Sequence, residues 1–119
     1  EIEAPGARFE NMIASHLFKY AHFLTDSGEA NVELCYLKNK EKLEIDFLLV
    51  KNKQPWLPIE VKLKDTSISK NWQTYFKHLP CKQGLQVVKT PGIYKHYTLS
   101  DNSGEVLVIS AEYLLALLI

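Results

Sequence analysis

The sequence is short of cysteine, of net charge and of long apolar runs, and each shortage closes off a class of protein. Its two cysteines, Cys35 and Cys81, form no Cys-x-x-Cys pair and have no histidine at ligand spacing. A zinc site is therefore not expected, and the two read as buried free thiols of a reducing compartment. With no signal peptide at the start, a cytoplasmic location is expected. The longest apolar run, Tyr113 to Ile119, is far shorter than a membrane span, so no membrane partner is expected. No Gly-rich phosphate loop occurs, which excludes nucleotide binding by that route. Repeats and low-complexity stretches are absent as well.

Charge of either sign is not in excess. Fourteen basic residues balance fourteen acidic ones. An isolated, tight nucleic-acid binder usually carries a basic surplus, and the balance argues against one. A local patch remains open, because Lys62 to Lys77 holds four lysines and one aspartate.

What is present is the composition of a folded chain, 46% hydrophobic and 24% charged over 119 residues. That length suits a single domain over 1–119. The chain opens on Glu1 rather than Met, and it is expected to be the C-terminal part of something longer.

After a loop holding Pro5 and Gly6, a helix is expected from Arg8 to about Thr25. Phe9, Met12, Ile13, His16, Leu17, Tyr20 and Leu24 share its apolar stripe, and Asp26, Ser27 and Gly28 end it. On this reading His16 is a core histidine. Strands are expected at Val32 to Leu37, Leu43 to Val50 and Trp56 to Leu63. A second helix over Ser67 to Leu79 carries Ile68, Trp72, Tyr75, Phe76 and Leu79. A buried strand follows at Gly84 to Val88, another at Val106 to Ile109, and a final helix at Ala111 to Ile119. The order, α-β-β-β-α-β and then a strand and a helix, predicts an α/β fold with a mixed central sheet flanked by helices.

The informative segment is Glu44-Ile45-Asp46, thirteen residues, then Glu60-Val61-Lys62. Side chains alternate along a strand, so Glu60 and Lys62 share a face. In the expected second strand, Glu44 and Asp46 point away from Ile45 and Phe47. If the two strands form a hairpin, Asp46 comes close to Glu60, and two carboxylates and an ammonium meet at one sheet edge. Such a set suits Mg²⁺ or Mn²⁺: a hard cation takes oxygen ligands, here Asp46, Glu60 and the Val61 backbone carbonyl. Lys62 can orient a water or offset charge on a phosphate. Glu10, at the border of the helical stripe, can reach the cluster from the side. The plainer reading is a solvated strand face with a surface salt bridge worth ~0.5 kcal/mol. Helix Glu, strand Asp and strand Glu-x-Lys in sequence order weigh more than any one of them.

Taken together, Glu10, Asp46 and Glu60-Val61-Lys62 in this element order resemble the core of the PD-(D/E)XK, or restriction-endonuclease-like, nuclease superfamily. Ile45 stands where the motif has its proline, a variable position. More closely, Gly6-Ala7-Arg8-Phe9-Glu10-Asn11, Glu44-Ile45-Asp46-Phe47-Leu48-Leu49 and Pro58-Ile59-Glu60-Val61-Lys62 are similar to a domain of unknown function that follows the ATPase module in prokaryotic AAA-type ATPases. The resemblance spans roughly Gly6 to Leu79 and, less clearly, Val108 to Leu118. It implies metal-dependent phosphodiester hydrolysis of DNA. Asp46, Glu60, the Val61 carbonyl and Glu10 would serve the metal, Lys62 would be the catalytic lysine, and an ATPase module would belong to the same parent chain. A homodimer is a common state of such nucleases. Gln73, with Tyr75, loosely matches a Gln…Tyr pair near these sites. The alternative is a catalytically silent tail that binds nucleic acid or a protein partner for the ATPase.

Overall fold

The computed structural model describes residues 4–36 and 45–118. It opens with α1 (Pro5–Asp26), which has proline in its first turn, where a missing N–H leaves no hydrogen bond unmade. Phe9, Ile13, Leu17 and Ala21, with Ala14 beside them, are the buried stripe. His16 is exposed, contrary to the expectation of a core position. At 100° per residue it lies with Met12 on the flank of that stripe and faces solvent. The chain leaves the helix through Gly28 at φ +80°, a conformation that costs glycine little.

Three strands follow, β1 (Val32–Tyr36), β2 (Phe47–Lys51) and β3 (Gln54–Lys62), each antiparallel to the one before. Asn52 and Lys53, both at positive φ, make the two-residue turn between β2 and β3. Pro58 lies at the centre of β3. It is tolerated because pairing with the next strand begins only at Ile59, leaving Pro58 with a neighbour on one side. The crossover α2 (Trp72–His78) leads to β4 (Gln83–Val88), parallel to β3. Then come β5 (Tyr94–Thr98), β6 (Glu105–Ser110) and α3 (Ala111–Leu117). The six strands form one mixed sheet in the order β1-β2-β3-β4-β6-β5. This is the expected α/β architecture.

Alternation along the strands divides the core in two. Phe47, Leu49, Ile59, Leu85, Val87 and Ile109 face α1 and α3, while Val88, Val106 and Val108 face Trp72, Tyr75 and Phe76 of α2. Helices thus cover both faces. On the α2 side the fit is close. A Cβ on Gly84 would lie 2.3 Å from the Trp72 ring, and one on Gly104 2.6 Å from the Phe76 ring. The glycines let α2 sit down on the sheet.

The structure differs from the sequence reading at several elements. β5 lies where the sequence reading has no element; it is an edge strand whose Tyr94-Lys95-His96-Tyr97-Thr98 is exposed at most positions, so it carries no apolar alternation. The second helix starts at Trp72 rather than Ser67, because Ser67 and Ser69 are engaged by a side chain of the sheet. β2 begins at Phe47, and Asp46 occupies a bend before it. Ile45 consequently packs with α2, on the face opposite Phe47 and Leu49. Glu44 lies outside the described residues. Among the described residues, no helix is long and apolar enough to cross a membrane.

Candidate metal centre

The site begins where β2 and β3 stop pairing. Their last ladder pair is Phe47 with Ile59. Two residues further along β3, the Val61 amide donates instead to Asp46 Oδ2 at 2.7 Å. A side-chain oxygen has taken the place of a strand carbonyl. This fixes Asp46, only 5% exposed, against β3 between Glu60 and Lys62. The N–H and C=O of one strand residue leave on the same edge, so the Val61 carbonyl also leaves β3 toward Asp46.

Glu60 alternates with Ile59 and Val61, which pack toward α1, and therefore points to the α2 face. It is 3% exposed. Tyr75 of α2 reaches down and donates its hydroxyl to Glu60 Oε1 at 3.0 Å. Glu60 Oε2 is buried and has no hydrogen-bond partner among the described residues. An ionised carboxylate out of water is costly unless both oxygens are satisfied. The free oxygen is thus the strongest local demand for a cation. Burial, and then the Glu60 charge, push the Tyr75 phenol far above its ordinary value; the Asp46 charge adds a smaller push in the same direction. The shift favours the protonated phenol as donor to Glu60, and the phenol feels both carboxylates at once.

Behind this pair, Gln86 stands beside Glu60 in the parallel register of β3 and β4. It is fully buried. Its Oε1 accepts from the Ser69 amide and from Trp72 Nε1, each at 3.0 Å, and its Nε2 donates to the Ser67 carbonyl at 2.8 Å. One sheet side chain thereby anchors the loop before α2 and the first residue of the helix that carries Tyr75.

A family model for the Domain of unknown function (DUF4143) matches residues 5–110, from the start of α1 to the end of β6. This chain belongs to that family. No curated protein and no solved structure matches it.

In this DUF4143 domain the residues picked out from the sequence are placed as follows. Asp46 and Glu60 lie on either side of Val61, both buried. Lys62 is half-buried at the end of β3, on the Glu60 face. Its charge reaches Asp65, whose carboxyl is held below the usual range mainly by the Ser67 hydroxyl and amide and least by Lys62. Glu10 is half-buried on the other face of the sheet. It lines a cavity of about 360 Å³ with Gly6, Ala7, Asn11, Val61 and Leu63. Among the described residues no group of three or more His, Cys, Asp or Glu could hold a metal ion. Glu10 is thus not gathered with Asp46 and Glu60 into one such group; it shares its cavity with Val61, whose amide holds Asp46.

A surface salt bridge does not account for Asp46 and Glu60, because both are buried. Gln73 is exposed and donates to Asp101 Oδ2 at 3.1 Å, away from Glu60. Gln86 has no place in the sequence reading, and Tyr75, read there as core and as a loose partner of Gln73, lies on Glu60 instead. The signal for Gln86 was a lone amide inside the apolar run Gly84 to Val88. Such a residue is buried only when its hydrogen bonds are met.

The donor set fits a hard divalent cation. It consists of oxygens, and one of them is an orphan in a buried position. Cysteine is absent from it, and both thiols are free, Cys35 half-buried and Cys81 buried.

Proposed function

We propose that this DUF4143 domain has a restriction-endonuclease-like site that hydrolyses phosphodiester bonds of DNA with Mg²⁺ or Mn²⁺. The observation that carries the reading is the buried Glu60 Oε2, without a hydrogen-bond partner among the described residues, on the strand that holds Asp46 through Val61. Asp46, Glu60 and the Val61 carbonyl would hold the ion. When bound, such an ion lowers the pKa of a coordinated water and offsets charge on the phosphate. The chain's own residues do the rest. Tyr75 orients Glu60, and Gln86 fixes the helix that presents Tyr75. Lys62, two residues after Glu60 on the same face, offers its ammonium to the phosphate oxygens. Glu10 would act from the α1 side of Val61, through water. Lys64 and Lys70, exposed beyond the end of β3, would meet the substrate backbone.

The test is a cleavage assay on linear and branched DNA with added Mn²⁺ or Mg²⁺. Wild type is expected to cut, and Lys62→Ala and Glu60→Gln are expected to lose the activity. Wild-type protein that binds the metal and cuts neither substrate would leave the second reading.

That second reading is a catalytically silent tail of a longer AAA-type ATPase chain, binding nucleic acid or a protein partner. The exact balance of 14 basic and 14 acidic residues favours it, since a polyanion-binding enzyme usually carries a positive surplus.

A further inference from the structure

Glu60 presents its two oxygens unequally. Oε1 accepts the Tyr75 hydroxyl at 3.0 Å, and Oε2 is buried with no partner among the described residues. Tyr75 has little freedom to release its hold. Its ring is buried and packs edge-on against Trp72, with centroids 5.2 Å apart. Trp72 is bonded to Gln86 and pressed onto Gly84. The Tyr75 amide donates to the Asn71 carbonyl at 3.0 Å, the first bond of the helix that carries the ring.

We infer that Tyr75 is a specificity-determining residue: by occupying Oε1 it restricts Glu60 to one-oxygen coordination through Oε2, and so selects Mg²⁺ or Mn²⁺ over Ca²⁺. The inference rests on the metal-site reading above. Its physical basis is the difference between the ions. Mg²⁺ demands near-ideal octahedral geometry at ~2.1 Å and takes few carboxylate oxygens, whereas Ca²⁺ accepts six to eight ligands at ~2.4 Å and is commonly held by a carboxylate through both oxygens. With Oε1 tied to a fixed phenol, Glu60 cannot rotate to give both. Removing that hydroxyl frees the second oxygen and loosens the first.

Calorimetric titrations of Mg²⁺, Mn²⁺ and Ca²⁺ into wild type and Tyr75→Phe test this. The variant keeps the ring that packs on Trp72, and a thermal melt checks that it folds. Wild type is expected to bind Mg²⁺ and Mn²⁺ more tightly than Ca²⁺. Tyr75→Phe is expected to lose about tenfold or more in Mg²⁺ affinity, the usual effect of removing a group that orients a ligand, while Ca²⁺ affinity holds or rises. An unchanged ratio of Ca²⁺ to Mg²⁺ affinity in a folded Tyr75→Phe would overturn the inference and leave the metal site standing. Wild type that binds none of the three ions would overturn the metal-site reading itself. Should Tyr75→Phe fail to fold, Trp72→Phe serves in its place. It keeps a ring against Tyr75 but loses the Nε1–H bond to Gln86 that seats α2, and a smaller shift of the ratio in the same direction is expected. No shift in that variant would count against the inference.

Discussion

Asp46 accepts the Val61 amide at 2.7 Å, and through that bond the bend before β2 becomes part of β3. The relationship does two things. It satisfies a backbone donor that has run out of strand partners, and it holds a carboxylate beside Glu60. Asp46→Ala removes the acceptor and leaves the Val61 N–H to find water at the sheet edge. A loss of about 1–2 kcal/mol in unfolding free energy is expected from urea titration. A value near zero would mean that Asp46 is dispensable to the fold and kept for another purpose.

Glu60→Gln should behave in the opposite way. The amide keeps the shape and can still accept the Tyr75 hydroxyl, but it removes a buried charge with an unpartnered oxygen. In metal-free buffer the variant is expected to be more stable than wild type by about 1 kcal/mol. Added Mn²⁺ should raise the urea midpoint of wild type and leave that of the variant where it was. A lower midpoint for the variant without metal would show that protein groups already satisfy the charge.

The layer beneath α2 offers a test of packing. Gly84→Ala places a methyl carbon 2.3 Å from a fully buried tryptophan ring. The expected cost is about 1–3 kcal/mol, with α2 pushed outward. Gln86→Leu keeps the volume and strands the Ser69 amide and Trp72 Nε1, each left without its acceptor. About 2–4 kcal/mol is expected for the pair of buried donors. Both variants should also weaken metal binding, because each moves Tyr75 off Glu60. Stability loss with unchanged metal affinity would separate the helix from the site.

Alkaline stability follows from Tyr75. Its folded-state pKa lies far above the ordinary tyrosine value because of burial and the Glu60 charge. Above pH ~10 the unfolded chain releases a proton that the folded chain keeps, so stability is fully present below that pH and falls as pH rises beyond it. Tyrosinate absorbance against pH should show one of the six tyrosines ionising only with unfolding. Tyr75→Phe should flatten the alkaline fall. If all tyrosines ionise before the fold is lost, the Tyr75–Glu60 bond does not exist as described.

Much of this was legible in the sequence, and the misses share a cause. The long helix, the β-hairpin and the parallel αβ crossover follow from apolar periodicity, which reports what faces a core. β5 faces no core on either side at most of its length, so His96 and its neighbours look like loop. Ile45 reads as the same face as Phe47 only if the strand runs straight through Asp46, and the bend at Asp46 reverses it. Alternation nevertheless placed Glu60 and Lys62 on one face, since that part of β3 is regular and paired on β4. Tyr75 reads as core from helical spacing, and it is core; that its hydroxyl ends on a carboxylate fifteen residues earlier depends on how Gln86 seats the helix, which no local pattern encodes.

The central claim is that Asp46 and Glu60 form a divalent-metal site. Calorimetric titration of Mn²⁺ and Mg²⁺ into wild type and Asp46→Ala tests it most directly. The account predicts binding in the micromolar to millimolar range by wild type and none by the variant. Absence of binding in wild type, or equal binding in both, would contradict it and leave the buried carboxylates as parts of the fold alone.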